Sequence, residues 1–268
     1  VDGEYTITLE VEDLAGNVTE ATATVDITVD STSPQRPTID LVNADDTGSS
    51  DLDNVTIGDP DVLPVDQVAD FRISAEAGAT VVIKDGEVVI DTFVFDAAFD
   101  LTDGVVDGFG IRRIDFAANE ANALLQIPAE GPHPLSVETT DGAGNFTQSE
   151  QLLVEIDTTA PVDADITIAL AATSDTGLLD GTTSIQQPAF VGVAEANATV
   201  RVYAQRTDIA GQPVVLVGIG VVGSDESDVG TIAGATANDG NGIWEVTVEP
   251  LVDGEYTITL EVEDLAGN

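Results

Sequence analysis

Aspartates cluster in two loops of this sequence, with a spacing that is typical of sites for hard cations. Asp45–Asn54 supplies four carboxylates and one amide within ten residues, and Gly48 allows the chain to fold back around an ion. Asp175–Asp180 is a weaker copy of this segment. Calcium takes about six to eight oxygen ligands from groups of these kinds. We therefore expect calcium ligands among Asp46, Asp51 and Asp53, and among Asp175 and Asp180.

Two recurring motifs add further candidate ligands. Asp30-Ser-Thr-Ser-Pro34 recurs as Asp157-Thr-Thr-Ala-Pro161, which places an aspartate where a strand meets a proline-stiffened linker. An Ala-Gly-Asn turn follows each of Asp13, Asp141 and Asp264. No linear EF-hand pattern occurs, so a calcium site would have to be assembled from separate loops. The alternative for each aspartate is an Asx-turn or a solvated loop charge.

Residue types for covalent or acid–base catalysis are scarce. The chain has no cysteine, and its one histidine, His133, stands between two prolines, where we expect an exposed turn. No nucleotide-binding, zinc or dinucleotide-binding motif is present. Paired carboxylates mean little among so many acidic residues. We therefore expect that the protein is not an enzyme.

The charge balance limits the possible partners. The chain has 50 acidic and 7 basic residues, a formal net charge of -43. Such a chain repels nucleic acid and anionic membrane surfaces, attracts cations and repels itself. No apolar run approaches the roughly 20 residues that span a bilayer, so we expect no membrane insertion. Without disulfides, metal ions are the natural means of stabilising such a β-rich protein.

A long repeat sets the organisation of the chain. Val252–Asn268 repeats Val1–Asn17 letter for letter, a period of 251 residues. The aspartate motifs described above recur at about half that distance and in the same order. This indicates one period of a tandem array whose modules are about 125 residues long. We expect the neighbouring repeats of this array to be partners of each module.

The elements that carry these loops alternate with a period of two. In Tyr5–Glu12, Ile7, Leu9 and Val11 point to one face, and Val18–Val29 alternates again after the Ala-Gly-Asn turn, which predicts an antiparallel pair. Asp85-Gly86 predicts a tight hairpin within Val81–Ile90. Trp244 is expected in the core of its module. No convincing helix is predicted, although Asn119–Gln126 could form a short turn.

These patterns predict an all-β protein of tandem immunoglobulin-like β-sandwiches in an elongated array. Residues 1–34 are expected to be the last two strands of a preceding domain. Residues 35–160 form one domain, with an insertion around Phe93–Ile114. Residues 161–268 form a second domain that stops before its final strand, whose equivalent is Val18–Asp30.

The ordered set of motifs in the second domain resembles the bacterial immunoglobulin-like tandem repeats of giant calcium-dependent surface adhesins, many of them exported by type I secretion. The first domain matches less closely and has Ala123–Ile127 in place of the Gly-Asn-Gly-x-Trp strand. The motifs that carry the resemblance are Asp157–Pro161, Ser174–Gly177, Pro188–Phe190, Ala196–Tyr203, Asn238–Trp244, Leu251–Tyr256 and Asp264–Asn268.

The resemblance implies sandwiches joined end to end, with calcium held within and between domains, in a stalk on the bacterial cell surface. Carried over by position, it implies calcium ligands at Asp30, Asp46, Asp157 and Asp175, and also at Asp13, Asp141 and Asp264. The adhesion target is not indicated by the sequence.

Three functional hypotheses follow. The leading one is a spacer of a large extracellular bacterial adhesin, stiffened by calcium at loops and linkers. The second is a subunit or repeat of an extracellular filament or sheath, completed by strand exchange between periods. The third is a module that binds a glycan or a protein through Arg112 and Arg113, which Phe109 and Phe116 flank. The alternative for these arginines is pairing with local carboxylates.

Overall fold

The structure is a computed structural model of the chain. It describes residues 1–20, 23–48, 50, 52–58, 67–122, 128–162, 166–178, 180–224 and 240–268. Asp51, one of the predicted calcium ligands, lies outside the described residues. Part of Asn119–Gln126 and all of Ala123–Ile127 lie outside them as well.

The regular secondary structure of the described chain is almost entirely β, which confirms the predicted all-β class. It contains nineteen strands and one short helix. The strands are β1 (Gly3–Ile7), β2 (Glu10–Glu12), β3 (Val18–Glu20), β4 (Val25–Val29), β5 (Thr38–Leu41), β6 (Val55–Thr56), β7 (Val68–Ser74), β8 (Thr80–Asp85), β9 (Val88–Val94), β10 (Phe109–Asp115), β11 (Gly131–Thr140), β12 (Phe146–Gln148), β13 (Leu152–Ile156), β14 (Ala169–Leu170), β15 (Ala189–Glu195), β16 (Thr199–Arg206), β17 (Val214–Val221), β18 (Asn241–Thr247) and β19 (Tyr256–Glu263). No helix in the described ranges is long and apolar enough to cross a membrane.

The chain forms two compact units. The first combines Val1–Val42 with Val68–Val154, and the second combines Asn43–Gln67 with Glu155–Asn268. The segment that carries Asp46 therefore packs with the second half of the chain. The predicted domain boundaries at residues 34 and 160 stay a prediction, because the units describe which segments pack together and not which segments fold alone.

The first unit is built from antiparallel strands. β7 lies between β10 and β5, β8 lies between β11 and β9, and β12 pairs with β11. The predicted hairpin at Asp85-Gly86 joins β8 to β9, and the positive φ of 57° at Gly86 is one that glycine adopts without strain. The predicted pairing after the Asp13 turn is also present, as β1 with β4 and β2 with β3.

Two three-stranded sheets make up most of the second unit. Their orders are β14-β15-β18 and β17-β16-β19. In β16, Val200, Val202 and Ala204 alternate into the core while Arg201 and Tyr203 remain partly exposed. Trp244 of β18 is 1% exposed and belongs to the same core, as predicted. One hydrophobic core therefore receives side chains from both sheets.

His133 is buried, so the prediction of an exposed turn histidine is wrong. It lies in β11 and is 1% exposed, with Nδ1 2.6 Å from an Asp85 carboxylate oxygen. Its ring packs on Phe116 with the ring centroids 4.3 Å apart. The two flanking prolines do not interrupt β11, and the alternation of the strand turns His133 to the same face as Leu135 and Val137.

A short helix, α1 (Phe116–Ala121), was not predicted. The Asp115 carboxylate caps it by accepting a hydrogen bond of 2.7 Å from the Ala118 N–H, and Phe116 is buried. Six residues are too few for a helical period to show in the sequence, which explains why the helix was missed.

Each of the seven cationic side chains forms an ion pair within its own unit. Arg112 pairs with Asp91 and Arg113 with Asp70, which confirms the expected local pairing of these two arginines. The remaining pairs are Arg36–Glu150, Arg72–Asp107, Lys84–Glu138, Arg201 with Glu261 and Glu263, and Arg206–Asp208. Because each of these side chains is at least one-fifth exposed to solvent, each pair contributes at most about 1 kcal/mol. The acidic surplus remains uncompensated by side chains.

Phe190→Ala should lower the unfolding free energy of the second unit by about 3–5 kcal/mol, because it opens a cavity in the core that both sheets share. Denaturant unfolding followed by the fluorescence of Trp244, the only tryptophan, measures this. Val214→Ala on the exposed face of β17 is the control and should change the free energy by less than about 0.5 kcal/mol. Equal effects of the two variants would contradict the shared core.

Candidate metal centre

Three carboxylates converge in the second unit. Asp157, Glu195 and Asp264 each offer one oxygen, and the three oxygens lie within 4.8 Å of one another. Within the described ranges, no other three potential metal-binding side chains come this close. We call Asp157, Glu195 and Asp264 the carboxylate cluster.

Three separate chain segments position the cluster. Asp157 directly follows β13, where its N–H donates to the Thr56 carbonyl at 2.9 Å and its carboxylate accepts from the Thr159 N–H at 2.9 Å. Glu195 is the last residue of β15, and Asp264 directly follows β19. The ends of three strands that are distant in the sequence therefore meet at one place.

Asp264 organises its own turn. One carboxylate oxygen accepts from the N–H groups of Gly267 and Asn268, at 2.8 and 2.9 Å, and the other accepts from Nδ2 of Asn268 at 3.0 Å. The same Nδ2 donates to the Asp157 carbonyl at 2.8 Å. The Asp264 side chain is almost completely buried, at 2% exposure. Asn268 therefore fixes the segment that carries Asp157 against the turn that carries Asp264.

The same turn closure recurs at the other two copies. Asn17 and Asn145 donate through Nδ2 to Asp13 and Asp141, each at 2.8 Å, and the backbone N–H groups of the turns add further bonds. The hydrogen bonds from the asparagine side chains contribute most to holding the pKa of Asp13 and of Asp141 below the usual range. The bonds from the backbone N–H groups lower the pKa further. Asn145 Nδ2 also donates to the Asp30 carbonyl at 3.2 Å. The Asx-turns that were the alternative to metal binding at these aspartates are thus present. Carboxylate oxygens that accept hydrogen bonds still retain lone pairs for a metal ion.

The electrostatics of the cluster are unfavourable without a cation. Burial raises the pKa of Glu195, and the negative charges of Asp264 and Asp157 raise it further. A calcium ion at about 2.3–2.6 Å from each ligand oxygen separates two of its ligands by up to about 5 Å. The spacing within the cluster therefore fits calcium, and three hard carboxylate oxygens are donors that calcium prefers.

The loop with Asp45 and Asp46 contacts the Asp264 turn. Both aspartates are buried, at 5% and 8% exposure. The Thr47 hydroxyl donates to the Ala266 carbonyl and accepts from the Ile57 N–H at 3.0 Å. The structure therefore brings the predicted ligand Asp46 to the turn that carries another predicted ligand.

Two glycines allow this contact. Gly48 has a φ of 87°, and a Cβ atom there would lie 1.9 Å from the Leu265 carbonyl oxygen. Gly267 has a φ of 100°, and a Cβ atom there would lie 3.0 Å from the Gly48 nitrogen. A side chain at Gly48 is thus excluded both by backbone conformation and by space. We call the packing of Gly48 on Leu265–Gly267 the glycine contact.

The other predicted ligands are not part of the carboxylate cluster. Asp30 is exposed and its carboxylate accepts from the Thr32 N–H at 3.0 Å. Asp53 and Asp180 are also exposed and accept from the N–H groups of Val55 and Thr182, at 3.2 and 3.1 Å. In Asp175, one oxygen is 3.4 Å from the Gly181 nitrogen, and the other has no hydrogen-bond partner among the described residues. As calcium ligands, these residues, together with Asp13 and Asp141, stay predictions.

The sequence analysis missed Glu195. A signal for it exists, since Glu195-Ala-Asn-Ala-Thr199 and Glu76-Ala-Gly-Ala-Thr80 are copies of one motif. Glu76 and Asp30 lie in the first unit, where a Glu76 carboxylate oxygen accepts from the Gln35 N–H at 3.1 Å. One acidic residue among 50 does not stand out unless the two halves are aligned.

The proposed basic-aromatic binding spot is occupied by internal contacts. Arg112 and Arg113 pair with Asp91 and Asp70, and the two phenylalanines that flank them in the sequence make other contacts. Phe116 is fully buried, and the Phe109 ring is covered by Arg72, whose guanidinium carbon is 4.2 Å from the ring centroid. These contacts give no support to a ligand site at Arg112 and Arg113.

Comparison with models of protein families gives no match for the chain. Comparison with curated proteins gives none either.

The raised pKa of Glu195 predicts a pH dependence with a defined sign. With calcium chelated, the folded state binds a proton more tightly at Glu195 than the unfolded state does. Stability should therefore rise as the pH falls from 7 through the raised pKa towards the unfolded value of about 4.3.

Glu195→Gln should lack this contribution and be more stable than the unchanged chain at pH 7 in chelator. Urea unfolding followed by Trp244 fluorescence at several pH values measures both. Glu249→Gln, which removes one charge at an exposed site, is the control. A decrease in the stability of Glu195→Gln at pH 7 in chelator would contradict the electrostatic repulsion.

Proposed function

We propose that the chain is a structural spacer of a large extracellular bacterial adhesin, and that calcium binds at the carboxylate cluster. The observation that carries the proposal is the approach of one carboxylate oxygen from each of Asp157, Glu195 and Asp264 to within 4.8 Å of one another. Three carboxylates at this distance repel one another unless a cation lies between them.

The composition supports a dependence on cations. A net charge of -43 destabilises any compact state through self-repulsion, and a bound divalent ion reduces this cost. The chain has no cysteine for disulfide bonds, so metal ions would take over the role of cross-links between loops.

Calcium would join segments that the backbone alone leaves independent. Asp157 belongs to the Asp-Thr-Thr-Ala-Pro segment, Glu195 ends β15, and Asp264 begins the Ala-Gly-Asn turn. An ion held by all three would fix this proline-containing segment to two strand ends. Repeated along an array, such sites would convert a flexible chain of modules into a stiff stalk. The affinity expected for an extracellular calcium module is on the order of 10⁻⁴ to 10⁻³ M.

The remaining parts of the proposal rest on the repeat and on the family resemblance. We propose that the modules are immunoglobulin-like sandwiches, because two sheets in the second unit contribute to one core. The exact repetition of Val1–Asn17 supports a tandem array. Export to the bacterial cell surface and a non-catalytic role follow from the resemblance to calcium-dependent adhesin repeats.

Calcium at ten times its dissociation constant should raise the unfolding free energy of the second unit by about 1.4 kcal/mol. Asp157→Asn and Glu195→Gln should each remove most of this gain, since each takes one charged ligand from the ion. Calcium titration followed by Trp244 fluorescence and by calorimetry measures the affinity and the gain.

Glu249→Gln, at an exposed position outside the cluster, should keep the full calcium effect. If Asp157→Asn and Glu249→Gln respond to calcium equally, the cation acts by general screening and the proposed site is wrong. Small-angle scattering then tests the stalk, because removal of calcium should shorten the mean particle length.

A filament completed by strand exchange is the second candidate, favoured by one observation. β1 pairs with β4 in the register Tyr5 to Ile27, and β19, which begins with the same Tyr-Thr-Ile that ends β1, lies at the edge of its described sheet. A segment equivalent to Val25–Val29 from another copy therefore fits β19, with Tyr256 opposite its isoleucine.

Strand exchange predicts that the chain forms oligomers in proportion to its concentration, whereas the spacer predicts monomers. Sedimentation velocity over a hundredfold range of concentration distinguishes the two. Ile27→Pro should abolish oligomers formed by exchange, because proline cannot complete the strand ladder. A chain that stays monomeric throughout would rule out the filament.

A further inference from the structure

The glycine contact joins two pieces of backbone that the sequence contains more than once. Its first part is the loop Asp46-Thr-Gly48, and its second part is the turn Asp264–Asn268. The loop belongs to the predicted module of residues 35–160, which has its own copy of the turn at Asp141–Asn145. The Asp264 turn belongs to the next predicted module. The contact therefore relates a loop to the turn of the module that follows.

The second copy of the loop shares two features with the first. In Asp175-Thr-Gly177, Gly177 has a φ of 93°, and a Cβ atom there would meet no described atom within 4 Å. The Thr176 hydroxyl accepts from the Ser184 N–H at 2.8 Å, as the Thr47 hydroxyl accepts from the Ile57 N–H. The Thr47 hydroxyl donates to the Ala266 carbonyl, whereas among the described residues the Thr176 hydroxyl lies 3.3 Å from the Ser184 hydroxyl.

A second copy of the turn is open in the matching way. Asp141 closes the turn Asp141–Asn145 as Asp264 closes its own. Gly144 has a φ of 94°, and Cβ atoms built at Gly142 or Gly144 would meet no atom of the described residues within 4 Å. The Ala143 carbonyl corresponds to that of Ala266, which accepts the Thr47 hydroxyl.

We propose that the Thr176-Gly177 loop of one copy of this chain docks on the Gly142–Gly144 turn of the next copy, as Thr47-Gly48 does on Leu265–Gly267. This inference rests on the proposed array. The Asp264 turn already carries Gly48. In the proposed array the next module belongs to the following copy and carries an Asp141 turn, so the occupant of the Thr176-Gly177 loop is a second copy of the period. The docking needs glycine at both faces and a threonine hydroxyl between them.

The test uses a chain of two periods. The last seventeen residues of the first copy also serve as the first seventeen of the second, so residue 18 of the second copy directly follows Asn268. Hydrogen exchange is measured by mass spectrometry on the peptides that cover Asp175–Gly177 and Asp141–Asn145, in which the two identical copies appear as two populations of one isotope envelope. In each peptide one population should exchange at least about tenfold more slowly than the same segment in the single period, which corresponds to about 1.4 kcal/mol.

Gly177→Val in the first copy should abolish this protection in both segments. Gly211→Val is the matched control, because Gly211 has a similar φ of 79° with open space around it and therefore carries the same backbone strain away from the loop. It should leave the protection unchanged.

Equal exchange in the one- and two-period chains would overturn the inference, as would protection that survives Gly177→Val or that Gly211→Val also removes. Calcium titration of the same two-period sample separates this result from the proposed function. Retained calcium binding with no protection would refute only the docking, whereas loss of calcium binding with protection would refute only the calcium site.

Discussion

The carboxylate of Asp264 accepts three hydrogen bonds from the residues that follow it, and the geometry of the second unit's loops depends on this closure. The closed turn directs Nδ2 of Asn268 to the carbonyl of Asp157, which brings a second carboxylate beside the first. It also presents the backbone of Leu265–Gly267 as a surface without side chains towards Gly48. The carboxylate cluster and the glycine contact are thus two consequences of one turn.

The carboxylate cluster brings three acidic side chains together in a chain that has 7 basic residues against 50 acidic ones. Each of the seven cationic side chains forms an ion pair with a carboxylate outside the cluster. Hydrogen bonds from the turn hold the Asp264 carboxylate in place, while burial and the neighbouring charges act against the charged form of Glu195. A fold that held these groups together without a cation would lose stability at neutral pH, and this is the physical basis for proposing a divalent ion at the site.

Local sequence signals predicted the strands well and predicted the meeting of loops only in part. Period-two alternation and the Asp85-Gly86 turn gave the hairpins, because these depend on neighbouring residues. His133 was misread, since its flanking prolines suggested a turn, and only the face of β11 on which it lies shows that it is buried. Asp157 and Asp264 were candidates from recurring motifs, whereas Glu195 carries no local mark.

The close approach of Gly48 and Gly267 was equally invisible, because it depends on two backbones distant in sequence. A glycine in a loop signals a positive φ or a lack of space, and the sequence does not distinguish these. Alignment of the two halves would have recovered Glu195 through its copy at Glu76. It would not have revealed which turn each loop contacts.

The placement of all but one of the cationic residues in strands has a consequence for proteolysis. Proteases that cut after lysine or arginine need several residues of extended, unpaired chain, and such chain is found mainly in loops. Lys84 and five of the arginines lie inside strands, in β7, β8, β10 and β16. The remaining one, Arg36, is followed by proline, which these enzymes do not accept. The loops are consequently free of their cleavage points, and trypsin-like digestion would require the sheets to open first.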